Sequence, residues 1–167
     1  HNETTRQKMF TLLKNADNDI LCMQEFFNCD TGKYNNVDSI RTKLGFENVH
    51  VEYTLTLRKT QRFGIITCTR YPIVNKGSIV FNNRSNNICI YTDVLIAGDT
   101  VRIYNMHLQS ISFGYADKQF IDAITSAEDA ENELENSKNI LRRIKRAYTK
   151  RAGQALSIAA HIAECRY

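Results

Sequence analysis

Asp19-Ile20-Leu21-Cys22-Met23-Gln24-Glu25 is an almost continuous apolar run that closes on two polar side chains. A run of this kind suits a β-strand buried on both faces, because a half-exposed strand alternates apolar and polar residues. The two-residue period of the pleat puts Glu25 on the same face as Leu21 and Met23, at the C-terminal end of the strand. A carboxylate in that place is costly unless it is paired or bound to a cation. Two readings stay open on the pattern alone. One is a structural ion pair with an arginine. The other is a hard oxygen ligand for Mg²⁺, Mn²⁺ or Ca²⁺, of which Mg²⁺ commonly takes only one or two protein carboxylates.

Upstream of this strand, Met9, Phe10, Leu12, Leu13 and Ala16 recur at helical spacing, so Thr4 to Ala16 reads as an amphipathic helix capped by Thr4 or Thr5. Downstream, Asn36 to Lys43 reads as a second helix stopped by Gly45. The pattern then changes to short β-like runs: Asn48 to Leu57, Arg62 to Thr69, Lys76 to Phe81, Ile88 to Ala97 and Thr100 to Leu108. Ala97-Gly98-Asp99-Thr100 is a hairpin signal that makes the last two runs antiparallel neighbours. In the final run Val101, Ile103, Asn105 and His107 share one face. An amide and an imidazole emerging at the end of an apolar strand face mark either a site on the rim of a sheet or two groups bonded to loop backbone.

From Tyr115 onward the composition turns helical. Glu128, Asp129, Glu131, Glu133 and Glu135 precede Lys138, Arg142, Arg143, Lys145, Arg146, Lys150 and Arg151, the order that complements a helix macrodipole. A solvated helix explains this blocking; the competing reading is a basic arm for nucleic acid or anionic lipid. A last helix, Gln154 to Cys165, carries an apolar stripe through Leu156, Ile158, Ala159 and Ile162, with His161 read as a packed or solvated residue.

The 167 residues bound the chain to about one domain of roughly 150 residues, and 43% apolar with 24% charged residues excludes a disordered tail or collagen-like repeat. No apolar stretch approaches the roughly 18 to 20 residues of a membrane-spanning helix. The net charge of +4 tolerates a phosphate-bearing partner without requiring one. Five scattered cysteines without a C-x-x-C pair indicate neither a zinc site nor a disulfide framework. Cys22, Cys68 and Cys89 read as buried and reduced, which leans toward a reducing compartment, slightly favouring the cytoplasm. The chain opens at His1 without a Met or a leader. The expectation is therefore a removed N-terminus, which could have carried a targeting segment or membrane tether.

Three fragments in order carry a resemblance: Asp19-Ile20-Leu21-Cys22-Met23-Gln24-Glu25, then Arg62-Phe63-Gly64-Ile65-Ile66-Thr67-Cys68-Thr69-Arg70-Tyr71-Pro72-Ile73, then Asn105-Met106-His107-Leu108. Together they resemble the endonuclease/exonuclease/phosphatase superfamily, the deoxyribonuclease-I-like proteins, over residues 1 to 165. Arg151 and Gln154 are similar to the R-x-x-Q that opens that family's next helix, and Thr69 stands where the family often has Ser. The resemblance implies an α/β fold, a four-layer α/β/β/α sandwich of two mixed sheets, of which this chain supplies about half to two thirds. It implies that Glu25 binds a divalent metal, Mg²⁺ or else Mn²⁺ or Ca²⁺. It further implies that His107 contacts the scissile phosphate, that Asn105 supports the same site, and that Arg62 and Arg70 bind substrate.

The implied activity is divalent-metal-dependent hydrolysis of a phosphoester. The implied partner is a phosphate-ester substrate: nucleic acid, a phospholipid head group or a small phosphoester. No protein partner is indicated, and the chain is read as a monomer. The family's first strand, its G-D-F-N segment and its D-H pair have no counterpart here, so residues 1–167 read as one domain lacking its first strand and its C-terminal part. Residues 112–148 read as a helical insertion. The contrasting expectation is a non-catalytic module of the same descent that binds phosphates or a partner through the helix around Glu128 to Arg151.

Overall fold

The computed structural model describes residues 2–81, 86–111 and 133–167. They fall into two compact units, His1–His107 with Glu164–Tyr167, and Leu108–Ala163.

In the first unit, helix α1 spans Glu3–Ala16 and α2 spans Asn36–Leu44. The cap of α1 is Asn2, whose side chain accepts from Thr4 N at 2.9 Å, rather than Thr4 or Thr5. Both threonines sit inside the first turn, and the helix begins one residue earlier than the apolar spacing suggests. Gly45 terminates α2 as expected, and Asn35 caps its start by accepting from Asp38 N. The strands are β1 (Ile20–Cys29), β2 (Asn48–Leu57), β3 (Gln61–Thr69), β4 (Ile73–Val80), β5 (Ile88–Ile96) and β6 (Asp99–His107). They make two three-stranded sheets, in the orders β1-β3-β2 and β4-β5-β6.

Among the described residues every pairing is antiparallel, where the resemblance implies mixed sheets. For two of the four pairings the loops explain it: β2 to β3 and β5 to β6 are tight hairpins, and a two- or three-residue link can only reverse the chain. At the second of these, Ala97 and Gly98 take φ of +52° and +96°, the doubly left-handed turn whose twist matches the flanking strands.

Residue parity on β3 divides the core. Ile66 and Cys68 face α1 and α2, in a cluster with Phe26, Ile40 and Phe46, while Phe10, Leu21, Met23, Val37 and Leu44 pack on its margin. Ile65, on the other face, meets Ile88 and Ile90 of β5, so the two sheets pack against each other there. Hydrogen bonds also cross between the sheets. His50 Nδ1 lies 2.9 Å from Thr92 Oγ1, and both residues are buried. Burial, with the charge of Lys76, holds the His50 imidazole below its ordinary value of 6.5, against the opposing pull of Glu52. Gly64 allows a close approach: a Cβ there would lie 1.9 Å from Glu52 O, beside the bulge between Tyr53 and Leu55 of β2.

On the outward face of the second sheet, Asp93 is wholly buried and accepts from Arg102 Nε at 2.6 Å and from its terminal nitrogen at 2.7 Å. Tyr167 Oη donates to the same carboxylate at 2.6 Å and Asn75 Nδ2 at 2.9 Å. The Arg102 guanidinium stacks 4.5 Å from the Tyr91 ring centroid and 5.1 Å from that of Tyr167.

β1 departs from expectation in two ways. It is not buried on both faces, since it lies at the edge of its sheet, and Cys22 is exposed where a buried thiol was expected. Nor does it end at Glu25; it continues through Phe26 and Phe27 to Cys29. Cys68 and Cys89 are buried as expected, and burial pushes their thiols up to about 12 and about 11.

Among the described residues of the second unit, α3 (Glu133–Ala163) runs without interruption from the basic block into residues 154–163, which the apolar stripe marks as a separate helix. Residues 112–132 of the proposed insertion lie outside the described residues. Ala147, Gln154 and Ile158 are buried along one stripe of α3, and Leu141, Tyr148 and Leu156 are exposed. Arg151 Nε donates to Gln109 O at 2.6 Å, and Gln109 N donates to Gln154 Oε1 at 3.0 Å, so this arginine and glutamine clamp one residue's backbone between them.

Candidate functional site

The strand β1 pairs regularly with β3 until Met23, which faces Ile66; the next pair is Phe26 with Gly64. Three steps on β1 therefore match two on β3, the signature of a β-bulge. Glu25 absorbs the extra residue with φ of +51°, a left-handed conformation that costs a non-glycine residue on the order of 1 kcal/mol or more and persists only when its surroundings enforce it. Regular alternation would have put Glu25 beside Leu21 and Met23 on the helix-facing side. The bulge gives that side to Phe26, which is buried, and turns Glu25 away from it.

The carboxylate consequently reaches the other sheet. Glu25 Oε1 lies 3.7 Å from His107 Nε2 at the end of β6, with the Glu25 side chain 82% exposed and that of His107 29% exposed. Asn105, two residues before His107, is buried. Its Nδ2 donates to Ile66 O at 2.9 Å and to Thr67 Oγ1 at 3.3 Å, and its Oδ1 accepts from Gln24 Nε2 at 2.6 Å. Both amide hydrogens are thus used inside the protein.

Glu25, Asn105 and His107, widely separated in sequence, therefore share one corner of the first unit. Arg62 and Arg70 are engaged elsewhere. Arg62 makes a bidentate pair with Asp30, at 2.6 and 2.9 Å, and lies over the Tyr53 ring. That pairing holds the Asp30 carboxyl below its ordinary range. Arg70 pairs with Asp17 and lies 3.8 Å from Asp19, tying the β3 terminus to the turn before β1. Gln24 is the site residue that residue-type reasoning passed over. Its signal was available: two adjacent polar residues interrupt the apolar series Leu21, Met23, Phe26, whose spacing changes from two to three at that point.

A groove of about 630 Å³ runs along β1 and α1 past Gln24 and Glu25, with Met9, Phe10, Leu13 and Phe63 among its apolar walls. No group of three or more His, Cys, Asp or Glu side chains that could hold a metal occurs among the described residues. Glu25 on its own fits the sparse kind of site in which one carboxylate anchors the ion and water or phosphate oxygens complete the shell. Its high exposure leaves room for that shell.

This arrangement, mixed α/β with two antiparallel sheets in one unit, resembles deoxyribonuclease-I-like structures. The solved structures it is similar to include an endonuclease/exonuclease/phosphatase family protein from Leptotrichia buccalis C-1013-b, with a TM-score of 0.52 at 14% identity, covering 85% of this chain and 69% of that one. They also include sphingomyelinase C from Streptomyces griseocarneus, with a TM-score of 0.44 at 20% identity, covering 68% of this chain and 48% of that one. No protein-family model and no curated protein sequence matches the chain.

Proposed function

We propose that this chain carries part of the active site of a divalent-metal-dependent phosphoester hydrolase, within a four-layer α/β/β/α fold. The observation that supports it best is the 3.7 Å approach of His107 to Glu25, achieved by a backbone conformation that a glutamate adopts only at a cost. Glu25 would hold the cation, Mg²⁺ or else Mn²⁺ or Ca²⁺. When bound, such an ion neutralises charge developing on phosphate oxygens. His107 donates a hydrogen bond from Nε2 to a non-bridging phosphoryl oxygen, stabilising the same charge from the protein side. Asn105, with both amide hydrogens committed, braces the corner and does not touch substrate. Arg62 and Arg70 serve their ion pairs, so neither is assigned to substrate. Residues 1–167 are taken as one domain of this kind with 112–148 as its insertion, and the substrate as nucleic acid, a phospholipid head group or a small phosphoester.

The test is Mg²⁺-dependent hydrolysis of bis-p-nitrophenyl phosphate and p-nitrophenyl phosphate by this chain and by a chain extended at both ends. Metal-dependent turnover that Glu25→Gln abolishes is expected in the extended chain. Silence in both, with each folded and supplied with metal, would transfer the reading to a non-catalytic module that binds phosphates or a partner.

A further inference from the structure

We propose that the hydrogen bond from Gln24 to Asn105 is the latch that sets the β1 bulge, making Gln24 and Asn105 positioning residues for Glu25. The proposal rests on the reading of Glu25 and His107 as the reacting corner, and it concerns what aims one at the other. A residue left of its own accord in an edge strand would return to extended backbone, and Glu25 would then alternate onto the helix-facing side with Leu21 and Met23. Two neighbours prevent this. Phe26 is buried among Ile40, Phe46, Ile66 and Cys68 on the helix side. Gln24 reaches toward the opposite sheet and bonds Asn105 Oδ1 at 2.6 Å. With the chain fastened to both faces of the sheet on either side of it, Glu25 is the one residue left to take up the extra length.

The far end of the latch is rigid. Asn105 is 2% exposed, and its Nδ2 is fixed by Ile66 O and Thr67 Oγ1, both on β3, the strand that pairs with β1. The amide therefore closes a ring through β6, β3 and β1. It is also two residues from His107 on the same face of β6, so a single side chain sets the bulge relative to the imidazole. Hydrogen-bonded supports of this sort typically alter metal affinity or activity by about 10- to 100-fold when removed.

The test compares wild type with Gln24→Met, which keeps the length of the side chain and loses the donor; Gln24→Thr, too short to reach Asn105, serves as a second variant. Three-bond HN–Hα couplings and Cα and Cβ shifts report the Glu25 backbone, and nuclear Overhauser contacts report whether its side chain meets the His107 ring. We expect both variants to fold, to lose the left-handed signature at Glu25 and the contact to His107, and to bind Mn²⁺ at least tenfold more weakly. His50→Gln, which removes a different hydrogen bond between the sheets, should leave the Glu25 signature in place. Variants that retain the signature and the contact overturn the latch. A wild type that binds Mn²⁺ no better than Glu25→Gln overturns the metal reading instead, and the spectroscopic comparison still decides the latch.

Discussion

Replacing Arg102 with Met removes the charged partner of a carboxylate that has no contact with water. Asp93 is 0% exposed, and the side chain of Arg102 is 12% exposed. Removing one member of a buried pair typically costs about 3–5 kcal/mol, because the other charge is left without compensation. Here Asp93 loses two bonds from the guanidinium and keeps those from Tyr167 Oη and Asn75 Nδ2, and methionine retains much of the packing on Tyr91. The surviving donors put the expected loss near the lower bound, about 3 kcal/mol at pH 7. The sign of its pH dependence comes from the same contacts. In wild type, burial pushes the Asp93 carboxyl up, but the bonds from Arg102, Tyr167 and Asn75 outweigh it and hold the group below its ordinary 3.8. That contribution is present above pH 3.8 and is lost as the pH falls through the folded value. In Arg102→Met, burial prevails, the carboxyl rises, and the folded variant takes up a proton that the wild type refuses. The deficit is therefore largest at neutral pH and shrinks toward pH 4. Urea unfolding at pH 7 and at about pH 4.5, monitored by tyrosine fluorescence since the chain has no Trp, measures both quantities. A loss below about 1 kcal/mol at pH 7, or one that is equal at the two pH values, refutes the reasoning.

Replacing His107 with Ala in an extended, active chain should lower metal-dependent turnover by about 10²-fold or more, measured at saturating metal, as loss of one charge-stabilising donor does. His50 is buried against Thr92 with Glu52 and Lys76 nearby and is held below 6.5, so its contribution is intact above that pH and is lost as pH falls through the folded value. Wild-type unfolding free energy should accordingly fall, by up to about 1.4 kcal/mol per pH unit, below pH 6.5, and His50→Gln should flatten that slope. A thiol-specific disulfide reagent at pH 8 should leave Cys68 and Cys89 unmodified in the native protein and reach all five cysteines only in denaturant, as absorbance of the released thiolate would show.

Local period was enough to find the strands, because each carries its own apolar alternation and short polar links separate them. β2 was expected and found at Asn48–Leu57, and β6 differs from its expected span by one residue at each end. The placement of Asn105 and His107 on one face came from parity alone, since β6 pairs with β5 without irregularity. The same rule misplaced Glu25, because a bulge breaks parity, and the break is enforced by contacts to β6, some 80 residues away. Distance also hid the arginines: Arg62 finds Asp30 at a separation of 32 residues and Arg70 finds Asp17 at 53, pairings that no local pattern announces. The charged block and the apolar stripe along Glu133–Ala163 look like separate helices in sequence, although an amphipathic helix continues through both.

The bulge has one more consequence, for solubility. Among the described residues β1 lies at the edge of its sheet, ten residues long, with the exposed apolar Met9 in the groove beside it. A flat margin of that length would template another chain and seed fibrous association. One surplus residue breaks the regular spacing of this edge midway, twists the second half of the strand, and leaves a carboxylate projecting into water. Deleting Glu25 would restore regular alternation and flatten the strand, removing the carboxylate that guards this edge.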